Sequence, residues 1–143
     1  MVREERQLIV PGRFESLSRI SEFVIAAAQS AGLTEDDVFH VEIAVDEACS
    51  NVIEHAYEKI QGNIELTCVT ERPGSLMIII LDHGEPFDPA TIPQPAVIDP
   101  AQIDMAQEGG LGLYFMRKLM DDVRFEFVPN NGNKLIMTKQ HHD

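Results

Sequence analysis

The chain has 143 residues, 44% hydrophobic and 24% charged, with a formal net charge of −13. That length suits one domain, residues 1–143, with a real hydrophobic core. The acidity disfavours nucleic acid and anionic membrane surfaces, which reward basic patches, and is compatible with basic protein partners.

In chain order, the opening MVREERQLIV lacks an apolar run of signal-peptide length. Within it, Gln7–Val10 reads as a short strand that enters a turn at Pro11-Gly12. Phe14, Leu17, Ile20, Phe23, Val24, Ala27, Ala28 and Ala31 keep helical spacing, and Gly32 stops the helix. Thr34 followed by Glu35, Asp36 and Asp37 is a helix start: a capping hydroxyl, acids in the first turn, and Asp37 at the capping-box position.

The helix that begins there extends to about Tyr57 and is the element around which the chain is organised. Val38, Val41, Val45, Ala48, Val52 and Ala56 form its apolar stripe. At roughly 100° per residue, Glu47 and Asn51 lie one turn apart on the flank of that stripe, with Glu54 in line and His55 slightly aside. Cys49 falls on its buried side, and with Cys68 it makes no paired metal or redox spacing, as in a reduced, cytoplasmic compartment.

Gly62–Thr70 alternates at Ile64, Leu66 and Cys68, and a turn at Arg72-Pro73-Gly74-Ser75 leads into Leu76–Leu81. That second run is apolar almost throughout, as in a central strand, and is too short to span a bilayer. His83 to Gln107 holds five prolines and no lysine or arginine, and reads as a long functional loop. Leu111–Met120 is a short helix opened by Gly109 and Gly110. Val123–Val128 and Lys134–Lys139 form a strand pair across Asn130-Asn131-Gly132, a strong hairpin signal. Two helices precede most of the sheet, so the expected fold is an α+β two-layer sandwich with a mixed or antiparallel sheet.

Three motifs carry chemistry in a fixed order: Glu47-x-x-x-Asn51 on a helix, Asp82-x-Gly84-x-Pro86-Phe87-Asp88 after a strand, and Gly109-Gly110-Leu111-Gly112-Leu113 opening a helix. An asparagine carboxamide oxygen suits Mg²⁺, which keeps few protein ligands besides phosphates and waters. An acid one turn away can polarise a hydroxyl. An aspartate at the end of a buried strand can accept from an exocyclic amine such as that of adenine. Glycines before a helix let backbone N–H groups approach phosphates. His40, His83, His141 and His142 show no metal-ligand spacing.

The set resembles the ATP-binding fold shared by gyrase, histidine kinases and MutL (the Bergerat fold). More closely it is similar to the anti-sigma factor/serine-protein kinase branch, the RsbW- and SpoIIAB-like proteins. VPGRFESL, DEACSNVIEHAY, LDHGEPFDP, GGLGLYFMRKLMD and GNKLIMTK carry the likeness along nearly the whole chain.

The resemblance implies a mostly antiparallel sheet covered by helices on one face. It makes Asn51 the ligand of Mg²⁺, Glu47 the general base and Asp82 the adenine reader. Gly84 gives room beside the base, with Pro86 and Phe87 in the same loop. Gly109, Gly110, Leu111, Gly112 and Leu113 form the phosphate-contacting end of a lid, and His55 supports the pocket wall. ATP or ADP with Mg²⁺ is the implied cofactor. The implied activity is phosphorylation of a STAS-domain (anti-anti-sigma) antagonist on serine or threonine, with sequestration of a sigma factor or other client by a homodimer. Pro86 replaces the second glycine of the wider Asp-x-Gly-x-Gly pattern. The branch commonly carries a cation in the lid, whereas no lysine or arginine lies between Arg72 and Arg117 here. The alternatives are a nucleotide-dependent partner-switching module without useful kinase activity and a detached histidine-kinase-like ATPase domain.

Overall fold

A computed structural model describes residues 3–57, 61–84, 110–128 and 132–142. Strand β1 (Glu4–Pro11) leads through a 3₁₀ turn (Phe14–Ser16) into helices α1 (Leu17–Ser30) and α2 (Glu35–Asn51). A π-helical turn (Val52–Ala56) continues α2, followed by β2 (Asn63–Thr70), β3 (Ser75–Asp82), α3 (Gly110–Leu119), β4 (Asp122–Val128) and β5 (Gly132–Gln140). The strands lie in the order β1-β2-β3-β5-β4, and all four ladders are antiparallel. This is the expected α+β sandwich, with β3 at the centre of the sheet. Each predicted helix and strand is present: β1, β3, β4 and β5 run longer than expected, while the first two helices and β2 are shorter and α3 is shifted by one residue.

Alternation decides which face is core. On β3, Leu76, Ile78, Ile80 and Asp82 are buried, while Met77, Ile79 and Leu81 are half-buried on the other face. The buried set joins Ile64, Leu66, Leu135 and Met137 from neighbouring strands. Against it lie Ile20, Val24, Ala27 and Ala28 of α1 and Val38, Val41, Val45 and Ala48 of α2. Phe14 departs from the predicted stripe of α1 and is 54% exposed, because the chain there is a 3₁₀ turn whose periodicity differs from that of the helix. Both cysteines are buried, and burial raises their thiols, that of Cys68 to about 12. They are core residues, not nucleophiles. Among the described residues, no helix is long and apolar enough to cross a membrane.

The start of α2 is capped as its sequence predicts, with Thr34 Oγ1 accepting from the Asp37 amide at 3.2 Å. The Asp37 carboxylate meets the sheet, at 3.3 Å from His141 Nδ1 and 3.9 Å from Lys139 Nζ. Lys139 is nearly buried on β5. Its ammonium also donates to the Leu119 carbonyl at the end of α3 and lies 3.2 Å from His40 Nδ1 on α2. One cation thus ties the N-terminal end of α2 and the C-terminal end of α3 to the same strand, where it also opposes the negative pole of α3.

Candidate nucleotide site

Lys139 fixes the relative direction of the two helices that carry site residues. It joins the start of α2 to the end of α3, and the helices pack along each other, so they run antiparallel. At about 1.5 Å rise per residue, the ten residues of α3 span about the distance from His40 to the Glu47–Asn51 segment. That direction would bring Gly110, the first residue of α3, towards the part of α2 that holds Glu47 and Asn51. Free amides at a helix N-terminus, with the positive end of its dipole, form a site for phosphate.

On α2, Glu47 and Asn51 are each half-buried, one turn apart. Burial raises the Glu47 carboxyl above the ordinary glutamate range, opposed by a hydrogen bond from Asn51 and reinforced by Asp46 and Glu54. A carboxyl shifted this way is a stronger base once ionised and sits where a proton acceptor is useful. The helix changes character just past Asn51. The Tyr57 amide bonds to the Val52 carbonyl at 3.1 Å, a π-type step absent from the sequence expectation of one continuous α-helix. Such steps recur at functional sites. His55, expected to support a pocket wall, has its side chain 58% exposed, 3.8 Å from Glu54.

Asp82 ends β3 with only 4% of its surface exposed. Among the described residues, both hydrogen bonds to its carboxylate fall on Oδ1, from the Gly84 amide at 2.9 Å and Asn133 Nδ2 at 3.0 Å. Burial raises its carboxyl, and these two donors, with the nearby His83, work against that rise. An orienting pair of donors on one oxygen is what a fixed acceptor for a ligand amine requires. Asn133 was not singled out in the sequence. It lies on β5 directly opposite Asp82, a neighbour only strand pairing reveals.

Gly132, which the sequence places in a hairpin turn, has a second role. It has φ +97°, and a Cβ there would lie 2.0 Å from the Asp82 carbonyl oxygen. The start of β5 thus passes flush against the backbone at the end of β3. Gly110, Leu111, Gly112 and Leu113 form the first turn of α3. Pro86, Phe87 and Gly109, and with them the lid expected over Phe87–Glu108, fall outside the described residues.

The donor set fits an adenine nucleotide. It offers a buried, oriented carboxylate for an amine, a helix N-terminus for phosphates, and a carboxamide beside a base. Among the described residues, no cluster of three or more His, Cys, Asp or Glu side chains is gathered to hold a metal by itself. Any Mg²⁺ here would depend on Asn51 and on the oxygens of the ligand.

Comparison with known proteins shows the family and the fold. The chain is 29% identical, over 95% of its length and 84% of theirs, to proteins named serine-protein kinase RsbW from Bacillus thuringiensis (strain Al Hakam) and Bacillus anthracis. Its fold matches a crystal structure of the RsbU and RsbW domains of a Mycobacterium tuberculosis protein. The TM-score is 0.67 at 14% identity, covering 96% of this chain and 32% of that one. It also matches the kinase domain of a blue-light activated histidine kinase from Erythrobacter litoralis, with a TM-score of 0.53 at 17% identity over 88% of this chain and 59% of that one. The family described as the histidine kinase-like ATPase domain matches residues 10–139. That span takes in the end of β1, α2 with Glu47 and Asn51, Asp82 and α3, and so the chain belongs to the histidine kinase-like ATPase domain family.

Proposed function

We propose that this protein is an ATP-dependent regulator of the anti-sigma-factor type. In this reading it is a serine/threonine protein kinase that phosphorylates a STAS-domain antagonist and sequesters a sigma factor or other protein client in the cytoplasm. The observation that carries the reading is the pairing of Glu47, its carboxyl raised by burial, with Asn51 one turn on along α2. The likeness to serine-protein kinases over 95% of the chain supports it.

In this reading Asp82 accepts a hydrogen bond from the adenine amine, while Gly84 leaves space beside the base and Pro86 and Phe87 line the same loop. Asn51 holds Mg²⁺. The backbone amides from Gly109 to Leu113 face the phosphates. When bound, Mg·ATP supplies the phosphoryl group and part of the charge neutralisation that its transfer needs. Glu47 would take the proton that the acceptor serine gives up as its oxygen bonds the γ-phosphorus and the bond from that phosphorus to the bridging oxygen breaks, releasing ADP. The exposed edge of β1 is the surface we assign to a homodimer, because an edge strand presents unpaired backbone groups to a second chain.

A second reading rests on one specific observation, the absence of lysine and arginine between Arg72 and Arg117. Without a cation near the terminal phosphate, the same site would bind nucleotide and switch partners without useful transfer. Labelled ATP, incubated with this protein and STAS-domain proteins from the same genome, separates the two. Phosphate on a serine or threonine of one of them is the expected result. Nucleotide-dependent binding without labelling would replace the kinase by the partner switch.

A further inference from the structure

Tyr57 belongs to none of the roles assigned above, yet it is 8% exposed and bonds to the residue that follows Asp82. Its hydroxyl donates to the Asn63 carbonyl at 2.7 Å and accepts from the His83 amide at 2.8 Å. Asn63 and His83 face each other one residue beyond Ile64–Asp82, the last pair of the β2–β3 ladder. A carbonyl and an amide placed so would ordinarily bond to each other. Here a phenol oxygen stands between them and satisfies both.

The surroundings of the ring are built to receive it. A Cβ on Gly12 would lie 2.3 Å from Tyr57 Cδ2, and one on Gly62 would lie 2.6 Å from Cε1. The two glycines are themselves joined, Gly12 amide to Gly62 carbonyl, at 2.8 Å. Any side chain at either position would displace the ring. The π-type step from Val52 to Tyr57 delivers the residue into this slot. Burial, opposed by the His83 hydrogen bond and aided by Asp82 and Glu65, raises the phenol above its ordinary value, so it remains a neutral donor.

We propose that Tyr57 is a positioning residue that sets adenine specificity: its hydroxyl wedges β2 from β3 at Asp82 and fixes the His83–Gly84 backbone. From that backbone the Gly84 amide holds Asp82 Oδ1. The chain of contact therefore runs from the end of α2, which carries Glu47 and Asn51, to the carboxylate that reads the base. The inference rests on the reading of Asp82 as the acceptor of the adenine amine. Inosine triphosphate carries a carbonyl at that position, so it presents an acceptor to the carboxylate and measures the discrimination directly.

The test titrates the full chain with Mg·ATP and with Mg·inosine triphosphate, in wild type and Tyr57→Phe. Wild type is expected to prefer ATP. Tyr57→Phe should weaken ATP roughly tenfold, leave inosine triphosphate nearly unchanged, and so erase most of the preference. A tyrosine that only stabilises the fold would lower the melting temperature and weaken both nucleotides in proportion, and that result overturns the proposal. So does a preference that Tyr57→Phe leaves intact. Absence of any preference in wild type removes the reading of Asp82 and this inference with it. A second measurement needs no variant: the His83 amide should be protected from exchange in the free protein, and loop-like exchange there contradicts the wedge.

Discussion

Glu47→Gln is expected to reduce phosphoryl transfer to a partner serine by roughly 10²–10⁴-fold, the usual consequence of losing a general base. Mg·ATP affinity should stay within about threefold of wild type, since glutamine keeps the shape and the hydrogen-bonding capacity that face Asn51. The pH dependence gives a second signature. Burial holds the Glu47 carboxyl above the ordinary glutamate range, with Asn51 opposing. The base is therefore protonated, and transfer falls, as pH drops through that raised value. Wild type should show this acid limb, and Glu47→Gln should lose it. Full labelling by Glu47→Gln would leave the kinase standing and remove Glu47 as its base.

Gly132→Ala is expected to damage both fold and site. At φ +97° an alanine is strained by roughly 1–2 kcal/mol, and its Cβ would meet the Asp82 carbonyl oxygen at 2.0 Å. The obstacle is backbone on both sides, so relief requires β5 to move off β3 at the corner where Asn133 holds Asp82. A loss on the order of 2–4 kcal/mol follows, which for a chain of this size lowers the melting temperature by roughly 10 °C. Nucleotide affinity should fall with it. A change under about 1 kcal/mol, measured by denaturant titration, would show that the hairpin relaxes without disturbing β3.

Much of this architecture is legible in the sequence because its signals are local. Thr34 caps α2 where the hydroxyl and the acids after it predict. The alternation of Ile64, Leu66 and Cys68 marks the buried face of β2, and the step of four between Glu47 and Asn51 survives as one helical turn. Features that depend on long-range pairing are not legible. Asn133 reaches Asp82 across 51 positions of sequence. Lys139 lies in a strand whose pattern gives no reason to expect a buried ammonium tying α2 to α3. The Val52–Ala56 turn escaped for another reason, since apolar spacing at steps of three and four does not distinguish a π-step from an α-helix. Within and just past that step His55 is exposed and Tyr57 is buried.

Adenine recognition by Asp82 is the centre of this account, and a calorimetric titration of wild type and Asp82→Asn with Mg·ATP tests it most directly. Asparagine keeps an Oδ1 acceptor for the Gly84 amide and Asn133, so the fold should hold. It removes a buried charge whose carboxyl is raised by desolvation, opposed by those two donors. A raised carboxyl costs stability as pH climbs through its folded value, so the variant should be no less stable than wild type at neutral pH. Its affinity for ATP should fall by about 1.5–3 kcal/mol, the worth of a hydrogen bond to a charged group, or roughly 10- to 150-fold. Measurable heat with wild type and a loss of that size in a stable variant is the predicted result. No binding by wild type at millimolar ATP, or equal affinity in both proteins, would contradict it.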